Sequence, residues 1–112
     1  MNNTLKQTIM RMKANRPILL SLAQAILAVN AIVKLEHIQA AQYHILMRLL
    51  AAYPGVMTGH QLAELDGVSD NISLTVSRLN GRLVRHDCRV VTAKGKGYWL
   101  EFHKENDNVP QT

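Results

Sequence analysis

The sequence predicts a mainly α-helical chain that ends in a small β-hairpin. Two observations carry that expectation. From residue 4 to about residue 86, apolar residues recur at helical spacing, broken at short polar, Gly- or Pro-containing points. After that the period drops to two: CRVVTA and GYWLEF flank KGKG, a pattern of two strands and a tight turn. Size sets the frame. A chain of 112 residues, 47% hydrophobic and 19% charged, suffices for one core and belongs to a folded protein. Only 4% of it is aromatic, so that core must be built from Leu, Ile, Val, Ala and Met.

Taken in order, residues 4–15 suit a short basic helix with Leu5, Ile9 and Met12 on one face. Pro17 suits the first turn of a second helix, where its missing N–H costs nothing, and that helix is expected to reach about Val33. The stretch is apolar almost all round, and a helix of that kind must be covered on several sides. One small domain has little to cover it with. A second copy is therefore expected to pack on Leu19, Leu22, Ile26, Val29 and Val33, giving a homodimer. Ser21, Gln24 and Asn30 interrupt the stretch, which argues against a membrane span.

KLEHI, 34–38, is expected to form a short extended link or strand. A helix over Ala40–Ala52 follows, with Tyr43, Leu46, Met47 and Leu50 on one face, and YPG at 53–55 ends it. Thr58 and Gln61 have capping-box spacing for a compact helix in TGHQLAEL, with Gly67 as its left-handed cap. Ser69 or Asp70 is placed to cap a third helix, NISLTVSRLNGRLVRH, whose Ile72, Val76, Leu79 and Leu83 form one apolar stripe. Gly81 costs this helix about 1 kcal/mol against alanine, so its second half is expected to bend or fray. Residues 104–112 are polar and expected to be a disordered tail.

Helix, short turn, helix and hairpin is the order of a winged helix-turn-helix. Ala63, four positions before Gly67, is expected to let the two helices approach, with Val68 filling the gap. Three blocks resemble the OmpR/PhoB-type winged-helix effector domains of transcriptional regulators, over Ile38–Phe102. IQAAQYHILMRLLAAYPG is similar to that family's first helix, with Tyr43, Leu46, Leu50, Pro54 and Gly55 at matching positions. ISLTVSRLNGRL is similar to its recognition helix, and VVTAKGKGYWL to its wing.

The resemblance implies that Arg78 faces bases, Leu74 meets them, Thr75 contacts the backbone, and Lys94 stands for the wing arginine. General chemistry agrees, since arginine pairs bidentately with guanine while lysine and hydroxyls suit phosphates. Asn71, Ser77, Arg82 and Arg85 on the helix, with Thr92 and Lys96 on the wing, complete the expected DNA-binding set. The chain also departs from the family. Its loop before the third helix is cut to DGVSD, Asn80 and Gly81 replace basic or helix-forming residues, and an apolar helix is expected where the family has an N-terminal sheet.

Charge points the same way. The formal net charge is +5, placed in two zones: Lys6, Arg11, Lys13 and Arg16 without an acid, and the arginine- and lysine-rich third helix and hairpin. Such a balance favours an anionic partner. Cys88 is the single cysteine, so no internal disulfide is possible and a reducing cytoplasm is expected. No metal, cofactor or catalytic activity is expected. His86-Asp87-Cys88 lacks zinc spacing, His60 and Glu64 lack a second histidine, and AKGKGY lacks a P-loop's strand-to-helix context.

Three segments follow: 1–36 as basic arm and apolar helix, 37–103 as the winged helix-turn-helix, and 104–112 as the tail. The expected protein is a dimeric, nucleoid-associated regulator that binds double-stranded DNA, acting as a repressor by occupancy or through its abundance. The alternative is a winged-helix interaction module that binds RNA polymerase or another host factor.

Overall fold

The computed structural model describes residues 15–64 and 71–105. Its elements run β1 (Asn15–Ile18), α1 (Leu22–Leu35), α2 (Ala40–Ala52), α3 (Gly59–Ala63), α4 (Ile72–Leu83), a 3-10 turn (Val84–His86), β2 (Cys88–Ala93) and β3 (Gly97–Glu105). The strands form one antiparallel sheet in the order β1-β3-β2. The hairpin expected from the sequence is thus part of a three-stranded sheet, and an N-terminal strand exists after all. β3 also continues through Lys104 and Glu105, positions the sequence pattern gave to the tail.

Pro17 does not open a helix. It lies in β1 opposite His103, on an edge strand where a residue without an N–H is tolerated. The helix starts at Leu22 because Ser21 and Gln24 close a capping box: Ser21 Oγ accepts from the Gln24 amide at 3.1 Å, and Gln24 Oε1 accepts from the Ser21 amide at 3.0 Å. It runs on to Leu35, so the first residues of KLEHI are helical and the rest form a link, not a strand. The helix expected over 4–15 lies outside the described residues, save Asn15, which begins β1.

The core gathers one face from every layer. Ala25, Val29 and Ile32 come from α1, Ile45, Leu46 and Leu49 from α2, and Leu62 from α3. Ile72, Val76, Leu79 and Leu83 of α4 all point inward, as their spacing predicts. Cys88, Val90, Leu100 and Phe102 close it from the sheet. Tyr53 locks the end of α2 to the start of α1: its hydroxyl accepts from the Leu20 amide at 2.9 Å and donates to the Leu20 carbonyl at 3.1 Å. Its ring meets Phe102 edge-on at 5.3 Å.

The Thr58–Gln61 capping box forms as expected. Ala63 does not act as the close-packing residue: it is exposed, and Leu62 beside it carries the burial. Gly67, Val68, Ser69 and Asp70 lie outside the described residues. The cap of α4 is Asn71, whose Oδ1 accepts from the Leu74 amide at 3.1 Å. α4 runs through Gly81 to Leu83. Asp87 then takes a left-handed conformation (φ 57°), which aspartate tolerates better than most residues, and turns the chain into β2. Among the described residues, no helix is long and apolar enough to cross a membrane.

Candidate functional site

Because α4 buries its apolar stripe, its opposite face is turned to solvent. Leu74 is 44% exposed there, and Ser77 and Arg78 are exposed beside it. Arg78 has no ion-pair partner among the described residues. Thr75 is different from its expected role. It is buried, and its Oγ1 donates to the Asn71 carbonyl at 3.1 Å, so its hydroxyl is spent within the helix. Asn71, likewise, uses its side-chain oxygen as the helix cap.

Arg82 and Arg85 continue the Arg78 side of the helix but are not left alone. Arg82 Nη1 lies 3.9 Å from Glu36 Oε2, and Arg85 Nε lies 3.8 Å from Glu36 Oε1. His86 Nε2 donates to Glu36 Oε1 at 3.1 Å. The Glu36 side chain is only 12% exposed, at the C-terminal cap of α1. His86's hydrogen bond is the main cause holding its carboxyl below the usual carboxylate range; the charges of Arg85, His86 and Arg82 act in the same direction, against burial.

A depressed carboxyl stabilises the fold above its unfolded pKa, and that contribution is lost as pH falls through the lower, folded value. Urea midpoints of the wild-type chain are therefore expected to fall more steeply below about pH 4.5 than those of Glu36→Gln. Parallel profiles for the two proteins would show that the contact contributes nothing to folding.

The hairpin tip forms the second part of the site. The Lys96 amide donates to the Ala93 carbonyl at 3.0 Å, with Gly95 in the left-handed region (φ 80°) between them. Gly97 (φ 117°) is held against Met57, whose carbonyl a side chain at position 97 would strike. Lys94 and Lys96 are exposed, and neither has an ion-pair partner among the described residues. With Thr92, Tyr98, Thr58 and Gly59 they line an open groove of about 390 Å³.

Two side chains set α4 and the tip in one frame. Tyr98 pairs through its backbone with Met57, at 2.8 and 2.7 Å, and its hydroxyl lies 3.5 Å from Ser73 Oγ near the start of α4. Asn80 faces the free edge of β2, where its Nδ2 donates to the Val90 carbonyl at 2.9 Å and its Oδ1 accepts from the Val90 amide at 2.7 Å. Asn80 thus serves Val90 as a neighbouring strand would, and ties the middle of α4 to the hairpin stem. No periodicity marks Asn80 or Tyr98 for these tasks. Glu36 did carry a signal: it is the first acidic residue of the sequence, alone in a basic and apolar half.

Of the residues expected at a dimer interface, Val29 is fully buried in the chain's own core and Val33 packs against it. Leu19 (78%), Leu22 (52%) and Ile26 (39%) are exposed. Leu27 and Leu35, at 70% and 74%, extend the apolar surface beyond the expected stripe.

Cys88 is buried, and burial pushes its thiol up to about 12, so it is no nucleophile at neutral pH. Among the described residues no group of three or more His, Cys, Asp or Glu is placed to hold a metal ion. His60 and Glu64 form an exposed pair at 3.3 Å. No family model, curated protein or solved structure matches the chain.

Proposed function

We infer that the chain is a sequence-specific double-stranded DNA-binding regulator built as a winged helix-turn-helix. The observation that carries this is the pairing of two exposed basic surfaces in one frame: the Arg78 face of α4 and the Lys94–Lys96 tip. The element order supports it. Helix α2, a bridging residue at Met57 that pairs with the hairpin, helix α3, helix α4 and the hairpin are the parts of that fold in sequence. In this arrangement α4 lies in the major groove, with Arg78 against base edges, while the tip reaches the flanking phosphates.

A second copy is proposed to cover the exposed side of α1. No charged side chain occurs between Pro17 and Val33, and homodimer interfaces are depleted of charge at their centres. Two copies would read two half-sites, which suits a repressor acting by occupancy. The same apolar surface also favours the second reading, an interaction module that binds RNA polymerase or another host protein.

Selection of binding sites from random duplex DNA at stated salt separates the two. Enrichment of a palindromic motif is expected. A single unrepeated half-site with a monomeric mass by light scattering would remove the dimer, and no enrichment would remove sequence-specific binding. Replacing Lys94 and Lys96 together by alanine is expected to weaken binding to all sequences alike and make the salt slope shallower by about 1–2. An unchanged slope would leave the tip outside the interface.

A further inference from the structure

We propose that Glu36 acts as an electrostatic brake on the DNA-binding face, holding Arg82 and Arg85 away from phosphates so that Arg78 is left to read sequence. The proposal rests on the DNA-binding function inferred above and assigns a specificity-setting role to a residue outside α4 and the hairpin.

The geometry is one-sided. Arg78, Arg82 and Arg85 succeed one another at helical spacing along one side of α4 and the 3-10 turn that continues it. The first has no acidic partner among the described residues, and the next two converge on a single carboxylate within 4 Å. That carboxylate is not a loose surface group. Its side chain is 12% exposed, fixed at the C-cap of α1, and anchored by His86 at 3.1 Å. It cannot swing away as DNA approaches without breaking that hydrogen bond.

Position alone gives the acid a cost to α1, since a negative charge at a helix C-terminus opposes the macrodipole. The arginines and His86 offset this, so the four groups hold one another. The consequence falls on α4. Its C-terminal end presents about one unit of positive charge fewer to phosphates than its two arginines would alone. Phosphate contacts add affinity for every sequence, so removing one lowers nonspecific binding and leaves base contacts as a larger share of the total.

Glu36→Gln keeps the shape and a hydrogen-bond acceptor while removing the charge. Its affinity for random-sequence duplex is expected to rise about threefold near physiological salt, with a salt slope steeper by about 0.9, and its preference for the selected site to fall. A merely structural carboxylate would give the opposite sign, since a loosened fold binds less. Adding Arg82→Ala and Arg85→Ala to Glu36→Gln is expected to abolish the gain.

Arginine modification with a dicarbonyl reagent, read by mass spectrometry without DNA, checks the hold itself. Arg78 is expected to react faster than Arg82 and Arg85 in the wild-type chain, and all three at similar rates in Glu36→Gln. An unchanged or weaker affinity in Glu36→Gln, with wild-type protein binding normally, overturns the brake and leaves DNA binding standing. Equal labelling of the three arginines in the wild-type chain also overturns it. A wild-type chain that fails to bind duplex DNA at all overturns both.

Discussion

Leu79→Ala is expected to destabilise the fold by about 2–5 kcal/mol, the range for removing a fully buried leucine from a packed core. Leu79 has no exposed surface and belongs to the buried stripe of α4, a helix that packs on both α2 and β2. Its neighbour Asn80 is already committed to Val90, so α4 cannot slide toward the sheet to fill the space without breaking those two hydrogen bonds. The cavity term is therefore expected to lie in the upper part of its range. Domains of this kind are stable by about 5–15 kcal/mol, so one substitution removes a large share. Urea unfolding is expected to show the midpoint lowered by roughly 1–2 M at an unchanged slope. Leu74→Ala on the opposite, exposed face is expected to stay within about 0.5 kcal/mol. A loss below about 1 kcal/mol at Leu79 would mean that α4 is not packed as described.

That contrast between Leu79 and Leu74 was legible in the sequence, because an amphipathic helix repeats its inward face every three or four residues. The bounds of α2, the Thr58–Gln61 capping box and the paired strands around KGKG were legible for the same reason: each depends on residues close in sequence. What could not be seen was nonlocal. β1 is four residues, and only pairing with β3 makes Asn15–Ile18 a strand. Pro17 is compatible with a helix start or an edge strand, and the sheet decides between them. Ser21 and Gln24 did spell a helix start, but the apolar residues on both sides of them masked it. In the site, charge and spacing marked Arg78, Lys94 and Lys96, all of which are exposed. They misplaced Thr75, which lies on the buried side of α4 with its hydroxyl turned back to a carbonyl four residues earlier. They missed Asn80 and Glu36, whose partners lie 10 and 50 residues away.

Arg78→Ala is expected to cost about 1–3 kcal/mol of binding free energy on the selected site, a loss of roughly 5- to 150-fold, and to relax preference at one base position. The size follows from what arginine does at a guanine edge: two parallel hydrogen bonds whose loss leaves base acceptors unpaired. The choice of Arg78 over its neighbours follows from where the other charges go. Arg82 and Arg85 are drawn to Glu36, and Arg89 lies 3.3 Å from Glu101 on the adjacent strand. Among the described residues Arg78 has no such tie, and it lies on the exposed side of α4, between Leu74 and Gly81. Arg78→Lys is a sharper probe than alanine, because it keeps the charge and loses the planar fork. It is expected to retain the salt slope while losing the base preference, whereas Lys94→Ala is expected to change the slope and leave the preference alone. Repeating the site selection with each variant reads both quantities at once. If Arg78→Lys returned the wild-type motif, Arg78 would be a phosphate ligand, and base recognition would have to pass to Ser77 or to the Leu74 side chain beside it.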